Sequence, residues 1–568
     1  GRGAVLAPGE KRRFTFVLAA GANREESLAI LARFAGDATR GASHEAAIDA
    51  ALSDAPARAR SALERRGIGL DDAETYSRLA GALLYGDPRL RATDDTLRHA
   101  GDEAPVRARL DIPACAALVV VRGDEPGAEA EWERMRGAIG FWRAHGIAAE
   151  LAGVGGSLNA RADEPGVRVA AALDEGERRA LEAGARIVVR EATRPLLRSL
   201  FPDGPAPARE SAPARMPGRR TRRGLRRERE ALLFDNGHGG FSQDGREYVI
   251  HLDALRHGAH RHPPLPWVNV IANESFGTLV SESGAGFTWS GNSREHRLTP
   301  WSNDPLLDPH GEALYVVDDA SGTAWSPLPG PLPHPASYET RHGLGYSRFL
   351  LEAEELEHDT LVTVAPDAPV KIVRVRLTNH GDGLKRLSLV SYSRLVLGPA
   401  DTCASRVVTE RDAHTRALLA RNASAGVWHA AIAFSQVLAT EGAAIAVTTD
   451  RAVFLGRHGQ ASRPQALRGA VAFDGATGPM HDPCFAWHVT FELPPGESAD
   501  TVFLLGEAHD GVELRSLLAR FSERAAVEHA AAESRAAWDA LVSRVRIATP
   551  APELDLMVNA WLPYQTLS

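Results

Sequence analysis

The chain of 568 residues is poor in cysteine, in lysine and in aromatic residues, which make up 6%. Its three cysteines, Cys115, Cys403 and Cys484, lie too far apart for a CxxC metal knuckle or a disulfide framework, which fits a reducing compartment. Only three of the 65 basic residues are lysine and 62 are arginine. Such a preference is typical of a bias in genomic base composition and does not indicate a function. The formal net charge of −8 argues against a dedicated nucleic-acid binder.

Long hydrophobic runs are also missing. The longest apolar stretch, Ile112 to Val121, is about half of what a membrane-spanning helix requires, and the N-terminus lacks the regions of a signal peptide. We therefore expect a soluble, cytoplasmic chain of three or four folding units. It begins with Gly1 and opens almost at once into an alternating strand at Arg13 to Leu18, which predicts a piece of a larger protein.

The first 200 residues combine a helical stretch with a small α/β unit. From Glu25 to about Leu84 apolar residues return at intervals of three and four, the period of amphipathic helices. Ala116 to Val121 predicts a buried strand, followed by an amphipathic helix from Ala128 to His145. Further strands are predicted near Ala148 to Leu151 and at Ile187 to Val189, with crossovers long enough for parallel pairing.

The segment from Pro202 to Glu230 is rich in proline and then in arginine. An arginine run can bind nucleic acid or anionic lipid headgroups, but next to prolines in an acidic chain it favours a solvated interdomain linker.

After Leu232 the pattern is all-β for nearly 300 residues, with short alternating runs separated by Gly, Pro, Asn and Asp. A large antiparallel sandwich is predicted. The clearest hairpin is predicted between a strand at 373–378 and a return strand at 387–389, with a turn at 379–383. From Gly511 to about Leu541 the period is helical again, and a short strand from Val542 to Ile547 leads to a new helix at Pro552.

The densest polar and aromatic cluster lies between Phe287 and Asp304. Indole faces pack against the C–H faces of sugar rings, while Arg, Asn and Asp satisfy hydroxyl groups, so this composition suits a carbohydrate-contacting loop. The alternative is a long ordered loop braced by its own Arg/Glu pairs and packed tryptophans. The candidate substrate-binding residues are Trp289, Asn292, Arg294, Arg297, Trp301, Asn303 and Asp304.

Two other patterns favour ordinary structure. Gly153 to Ser157 follows a strand as a phosphate cradle does, but the GxGxxG spacing is missing, which favours a plain loop. Zinc-ligand residue types recur at His251, His257, His260 and His262, with Asp253 nearby. Their spacing is not that of one helix face and prolines follow at once, so we expect an exposed His-rich loop and no metal site.

Sugar chemistry needs a carboxylic acid with a raised pKa, usually opposite a base or an attacking anion. The nearest candidates are Asp304 with Asp308, or Asp318 with Asp319, and each lies in a turn-like context. The chain has no GxSxG elbow, and none of its cysteines has a neighbouring histidine.

Four motifs resemble the glycoside hydrolase family 94 region of cyclic β-1,2-glucan synthases in residues, order and spacing. They are LFDNGHGGF at 233–241, PWVNVIAN at 266–273, the loop at 289–304, and YETRHG at 338–343. The resemblance covers residues 231 to about 530 and extends more weakly upstream, through LYGDP at 84–88 and the α/β unit.

The resemblance implies an inverting phosphorylase-type architecture, in which a β-sandwich and a helical linker precede an (α/α)6 barrel. In such families phosphate attacks the anomeric carbon while an Asp of the barrel donates a proton. Residues 553–568 resemble only the first barrel helix, with Pro563 as a departure, so the resemblance carries no catalytic residue onto this chain. Residues 106–111 also depart from the family, where a glycine-rich turn is usual.

We therefore predict a multidomain, β-rich chain divided into seven segments. They are a sandwich tail at 1–22, a helical connector at 23–110, an α/β unit at 111–201, a linker at 202–230, the β-sandwich at 231–509, a helical linker at 510–550 and the start of a barrel at 551–568.

The predicted function is carbohydrate binding and support of a catalytic barrel in a β-glucan-processing enzyme. By itself the chain is expected to be catalytically inactive. The alternatives are a stand-alone carbohydrate-binding or scaffolding protein, and a structural dimerisation module. The expected partners are a β-glucan or oligosaccharide, the barrel and a second copy of the chain, with no nucleic acid. No cofactor is expected, since the family uses inorganic phosphate as a co-substrate. Attachment of the parent to the bacterial inner membrane is implied by the resemblance alone.

Overall fold

In a computed structural model, the described residues are 7–11, 16–34, 44–156, 158, 164–170, 173–193, 229–254, 260–468 and 473–568. The predicted linker at 202–230 lies outside them except for its last two residues, as do His257, Ser157 and part of the predicted segment 1–22. The chain divides into two compact units, residues 1–80 and 81–568.

The helical period predicted from Glu25 to about Leu84 is confirmed for the described residues of that stretch. Helix α1 spans Arg24–Ala32, α2 spans His44–Glu64 and α3 spans Leu70–Tyr85. The side chain of Asn23 caps α1, because its Oδ1 accepts a hydrogen bond from the Glu26 backbone N–H at 2.9 Å.

The predicted α/β unit contains a four-stranded parallel sheet in the order β3-β2-β1-β4. Two short helices, α4 Asp94–His99 and α5 Ala104–Arg109, lie before it in the predicted helical connector. The elements of the α/β unit are β1 Ala117–Arg122, α6 Ala128–Ala144, β2 Ala149–Val154, β3 Val167–Ala170, α7 Glu175–Gly184 and β4 Ile187–Val189. Helix α6 buries Trp132, Met135 and Trp142, as its amphipathic pattern predicts. The sequence did not reveal β3, which is four residues long and carries the half-buried Arg168.

A sandwich of three antiparallel sheets follows. Its strands are β5 Gly239–Phe241, β6 Glu247–Leu252, β7 Val268–Ala272, β8 Phe276–Ser281, β9 Gly286–Ser290, β10 Glu312–Asp318, β11 Thr323–Trp325, β12 Tyr338–Gly343, β13 Tyr346–Ala353, β14 Leu356–Val364, β15 Val370–Asn379, β16 Lys385–Arg394, β17 Val408–Arg411, β18 Leu418–Arg421, β19 Ile432–Leu438, β20 Ala444–Asp450, β21 Gly478–Pro479, β22 Pro483–Leu493 and β23 Ser498–Ala508.

One large sheet faces two smaller ones. Its eleven described strands run in the order β21-β17-β18-β19-β23-β15-β14-β13-β12-β6-β5, opposite a five-stranded sheet β11-β10-β16-β22-β20 and a three-stranded sheet β7-β8-β9. A single apolar core, which includes Phe276, Trp325, Phe349 and Trp487, joins the inner faces of all three sheets. The antiparallel sandwich is therefore as predicted.

The predicted hairpin at 373–389 is wrong, because β15 and β16 belong to opposite sheets. Val375 and Leu377 on β15 lie in the same core as Leu387 and Leu389 on β16, so the two strands meet face to face across the sandwich. The alternating pattern identified the buried face of each strand, but a short turn can connect two layers as well as two neighbours in one layer.

Helices cover the outer faces of the two larger sheets. Helix α8 (Arg451–Leu455) packs on the five-stranded sheet, while α9 (Gly511–Arg520) and α10 (Arg524–Val542) pack on the large sheet. Asp510 caps α9 by accepting hydrogen bonds from the backbone N–H groups of Val512 and Glu513.

The strand predicted from Val542 to Ile547 is also wrong, because α10 continues to Val542 and the next residues form no strand. The amide side chain of Asn559 takes the place of a partner strand. Its Oδ1 accepts from the Ile547 N–H at 2.8 Å, and its Nδ2 donates to the Ile547 carbonyl at 2.9 Å.

The helix predicted at Pro552 has three parts. Helix α11 (Pro552–Leu556) leads into a π-helical turn at Met557–Trp561 and then into α12 (Leu562–Leu567). Pro563 lies at the start of α12, where a missing N–H costs little. The proline is therefore accommodated by the change of helical geometry before it.

A buried ion pair connects the three sheets. Lys371 on β15 donates to Glu312 Oε2 on β10 at 2.6 Å and to the Thr278 hydroxyl on β8 at 2.9 Å. Glu312 Oε1 accepts from Thr288 on β9 at 2.6 Å and from Thr299 at 2.7 Å. Burial alone would raise the pKa of Glu312, but Lys371 and the two hydroxyls outweigh it and leave that pKa below its ordinary value.

We expect Lys371→Met to lower the free energy of unfolding of the full chain by about 3–5 kcal/mol, because Glu312 would remain as a buried unpaired charge. Urea titration followed by tryptophan fluorescence measures the change. The double variant Lys371→Met/Glu312→Leu should recover part of the loss. Arg386→Ala, which breaks an exposed pair with Glu492, is the control and should cost less than about 1 kcal/mol. A single-variant loss no larger than that of the control would contradict this interpretation.

Candidate carbohydrate-contacting site

The loop predicted to contact sugar joins β9 to β10 and is built around the ring of Phe287. Trp289 lies 5.1 Å from that ring and Trp301 stacks on it at 5.2 Å, both measured between ring centroids. The guanidinium of Arg297 lies 5.8 Å from the same centroid. Both tryptophans are only half-buried, so the aromatic group is partly open to solvent.

Arg297 also holds the loop in shape. Its Nη1 donates to the Trp301 carbonyl and its Nε to the Ser293 carbonyl, both at 3.1 Å. Trp289, Arg297 and Trp301, three of the seven predicted residues, are therefore brought together in one cluster. Part of the hydrogen-bonding capacity of Arg297 is already used inside the protein.

The other four predicted residues lie in turns. Asn292 Oδ1 accepts from the backbone N–H groups of residues 294 and 295, and Asp304 Oδ1 accepts from those of residues 306 and 307. Arg294 is exposed and pairs with Glu295 at 3.3 Å. Asn303 is exposed, with a positive φ of 49° that asparagine tolerates better than most residues. Their carbohydrate contacts remain a prediction.

Trp428, which sequence reasoning missed, lies against this loop. A Cβ atom at Gly291 would lie 3.3 Å from Trp428 Nε1, and the Trp428 indole stacks on the His296 ring at 4.7 Å with only 3° between the planes. His296 Nε2 donates to Glu507 Oε2 at 2.7 Å, and both side chains are buried. His296 Nδ1 is buried without a hydrogen-bond partner among the described residues. More than a hundred residues separate Trp428 from the loop, so no local pattern reveals this neighbour.

A cleft of about 960 Å³ opens beside the end of the loop. Pro300, Ser302 and residues 305–311 form part of its lining, together with prolines from two other loops. Asp308 lies in this cleft, where its Oδ2 accepts hydrogen bonds from Ser281 and Ser283 at 2.7 and 2.6 Å. None of the seven predicted residues belongs to the lining of the cleft.

The other candidate acids also have structural partners. Asp318 caps a turn by accepting from the Ala320 backbone N–H at 3.0 Å, and Asp319 accepts from the Ser388 hydroxyl at 2.9 Å. These contacts favour structural roles for the predicted carboxylates.

The described histidines of this group, His251, His260 and His262, do not form one loop surface. His251 lies on β6, with its Nδ1 3.7 Å from Glu339, and His262 is exposed next to Glu282. His260 is buried and hydrogen-bonded to the Ala336 carbonyl at 2.8 Å, so the expectation of an exposed loop is wrong for this residue. Among the residues that the structure describes, no three His, Cys, Asp or Glu side chains converge as metal ligands.

The motifs at 266–273 and 338–343 meet through His342. Its Nε2 donates to the Trp267 carbonyl at 3.1 Å and its Nδ1 accepts from the Ser347 hydroxyl at 2.8 Å, an arrangement that suits the neutral ring. Burial lowers the pKa of His342 to about 4. Asn269 donates to the Gly343 carbonyl at 3.0 Å and accepts from the Tyr564 hydroxyl at 2.9 Å, so the last helix is fastened to the same place.

Residues 246–524 match the family described as "Glycosyl hydrolase 94, supersandwich domain". This part of the chain, just under half of its length, is similar to that domain. The resemblance found in the sequence and the β-rich fold class are confirmed. The matched region, here called the supersandwich domain, contains the candidate loop, Trp428 and the lining of the cleft.

Three curated relatives each match a little under three fifths of the chain. A cyclic beta-(1,2)-glucan synthase NdvB of Rhizobium meliloti is 38% identical over 59% of this chain, which covers 12% of that protein. An N,N'-diacetylchitobiose phosphorylase of Vibrio furnissii is 25% identical over 58% of this chain and 40% of its own length. A 3-O-beta-D-glucopyranosyl-beta-D-glucuronide phosphorylase of Paenibacillus borealis is 26% identical over 58% of this chain and 41% of its own length. The chain thus spans well under half of each relative.

In the part of the chain that the structure describes, no helix has the length and apolar character needed to span a bilayer.

We expect the stability of the chain to fall below pH 6.5, because the unfolded state protonates His342 near its ordinary pKa of about 6.5 and the folded state only near 4. Stability is therefore present above pH 6.5 and lost as pH falls toward 4. This residue should account for about 2 kcal/mol of the loss between pH 7.5 and pH 5. The free energy of unfolding at the two pH values measures it.

His342→Gln should reduce that pH-dependent loss by about the same amount, whatever its effect at pH 7.5. Ser347→Ala is the matched control, since it removes the hydroxyl partner and leaves the titrating ring. It should lower stability at both pH values. An unchanged pH-dependence in His342→Gln would show that the ring is not held neutral by burial.

Proposed function

We propose that the supersandwich domain contacts a β-linked glucan through the Phe287–Asp304 loop and Trp428, as part of a glycoside phosphorylase-like protein. The observation that carries this proposal is the cluster of Trp289, Trp301 and Arg297 around Phe287. Half-exposed indoles beside guanidinium and amide groups suit sugar rings, which have apolar faces and polar edges. The names of the relatives, a β-(1,2)-glucan synthase and two glycoside phosphorylases, support the same class of ligand.

The domain acts in this proposal as an accessory and not as the catalyst. Asp304, Asp308, Asp318 and Asp319 all accept structural hydrogen bonds, which favours bracing over proton transfer. The catalytic groups and the site for phosphate as co-substrate would lie on an (α/α)6 barrel packed against the domain, with a homodimer as a further association. The unpaired cysteines support a cytoplasmic location for this part of the protein.

We expect the full chain to bind linear β-1,2-linked glucose oligosaccharides in isothermal titration calorimetry. Trp301→Ala and Trp428→Ala should each weaken binding about tenfold, equivalent to about 1.4 kcal/mol, because each removes an indole face. Val427→Ala is the matched control, since Val427 lies beside Trp428 in the same turn, is 83% exposed and is not part of the aromatic cluster. Circular dichroism of each variant checks that the fold is retained.

Equal affinities for the two tryptophan variants and the control would overturn the loop as the binding site. Release of glucose 1-phosphate from β-1,2-glucan and phosphate by the purified chain would overturn the accessory role. The two measurements are independent, so either half of the proposal can fail alone.

A further inference from the structure

Four arginines converge where the α/β unit meets the sandwich, around a single carboxylate. Arg91 follows a short 3-10 turn, Arg107 lies on α5, Arg186 precedes β4 and Arg406 precedes β17, while Glu103 lies just before α5. The residues come from four separate segments of the chain. Only the folded structure brings them together.

Glu103 is shared by two of the four arginines. Arg406 Nη1 donates to its Oε1 and Arg107 Nε to its Oε2, both at 2.8 Å. Both oxygens of the carboxylate are therefore occupied. Gly184 leaves room for this carboxylate, because a Cβ atom at residue 184 would overlap Glu103 Oε2 at 1.3 Å.

Arg91 and Arg186 have no carboxylate within 4.0 Å in the described part of the chain. Arg91 is 2% exposed, and within the described ranges its donors reach only backbone carbonyls, among them that of Ser405 at 2.5 Å. Arg186 donates to the Ser405 hydroxyl. Burial, together with repulsion from Arg186 and Arg406, lowers the pKa of Arg91 to about 9, and burial with repulsion from Arg406 lowers that of Arg186 to about 10. With Arg107 and Arg406 sharing Glu103, the cluster has three positive charges in excess.

We propose that a small phosphate-type oxyanion binds at Arg186 and Arg406 and neutralises this cluster. These two side chains are partly exposed, whereas Arg91 and Arg107 are buried. Guanidinium groups present planar pairs of donors that match the oxygens of a phosphoryl group. Gly86, with φ of 69°, leaves room for the Arg186 guanidinium, since a Cβ atom there would lie 3.0 Å from Arg186 Nη1. The site is separate from the glucan-contacting loop and does not depend on it.

The full chain, titrated with inorganic phosphate at constant ionic strength, should show saturable one-site binding by calorimetry. Constant ionic strength is needed because salt screens exposed charges and phosphate stabilises many proteins non-specifically. Arg186→Gln should weaken binding at least tenfold. Arg386→Gln is the matched control, an exposed arginine on β16 paired with Glu492, and should leave the Kd unchanged.

A second variant supplies the negative charge from the protein itself. Ser405→Asp places a carboxylate where Arg186 now meets a hydroxyl, so it should raise Tm in phosphate-free buffer and abolish the rise of Tm with phosphate. Glucose 1-phosphate is titrated in parallel. Tighter binding of glucose 1-phosphate identifies a sugar-borne phosphoryl group as the ligand, and equal or weaker binding identifies free phosphate.

The absence of saturable phosphate binding to the unmodified chain overturns the proposal, as does an Arg186→Gln variant that binds as tightly as the unmodified chain. Neither result involves glucan, so failure here is distinguishable from failure of the glucan-binding proposal.

Discussion

The buried pair of Lys371 and Glu312 is the contact on which the candidate site depends. One carboxylate accepts hydrogen bonds from the large sheet through Lys371 and from the three-stranded sheet through Thr288. It also accepts from Thr299, inside the loop, whose hydroxyl in turn accepts from the Thr288 backbone N–H at 2.8 Å. The end of β9 next to Trp289 and the loop next to Trp301 are therefore both fixed to this carboxylate. A charged pair in the core costs desolvation, and here that cost is offset by the four hydrogen bonds of Lys371 and Glu312, which set the position of a surface feature.

The polar residues of the loop show why composition alone leaves two interpretations open. The same asparagine that can bind a sugar hydroxyl can close a turn, and Asn292 does close one in this structure. The tryptophans differ in this respect, because an indole packed on one side and exposed on the other still offers area to a ligand. The structure therefore supports the aromatic part of the predicted site more strongly than its amide and carboxylate part.

Much of the fold could be predicted because periodicity reports burial. It identified α6 and the inward faces of β15 and β16. Periodicity does not identify which strands pair with each other, so it predicts one hairpin for β15 and β16 although they lie in opposite sheets. The alternating residues from Val542 to Ile547 suggested a strand, but there the Asn559 side chain satisfies the Ile547 backbone in place of a partner strand. Trp428 reaches the loop only through the three-dimensional path of β18 and β19, and a single sequence does not contain that information.

Arginine greatly outnumbers lysine in this chain, so the positions that carry lysine need a structural reason. The arginine cluster needs a different one. Lys371 and Lys385 each place a compact ammonium between close oxygen acceptors, at 2.6 to 2.9 Å for their shortest contacts, where a planar guanidinium needs more room. Arg91 instead uses its fork to reach carbonyls of separate segments, including those of Ser405 and Ala183. A general preference for arginine over lysine does not account for four guanidinium groups around one buried carboxylate, because each added charge raises the electrostatic cost of the fold unless something of opposite charge is present.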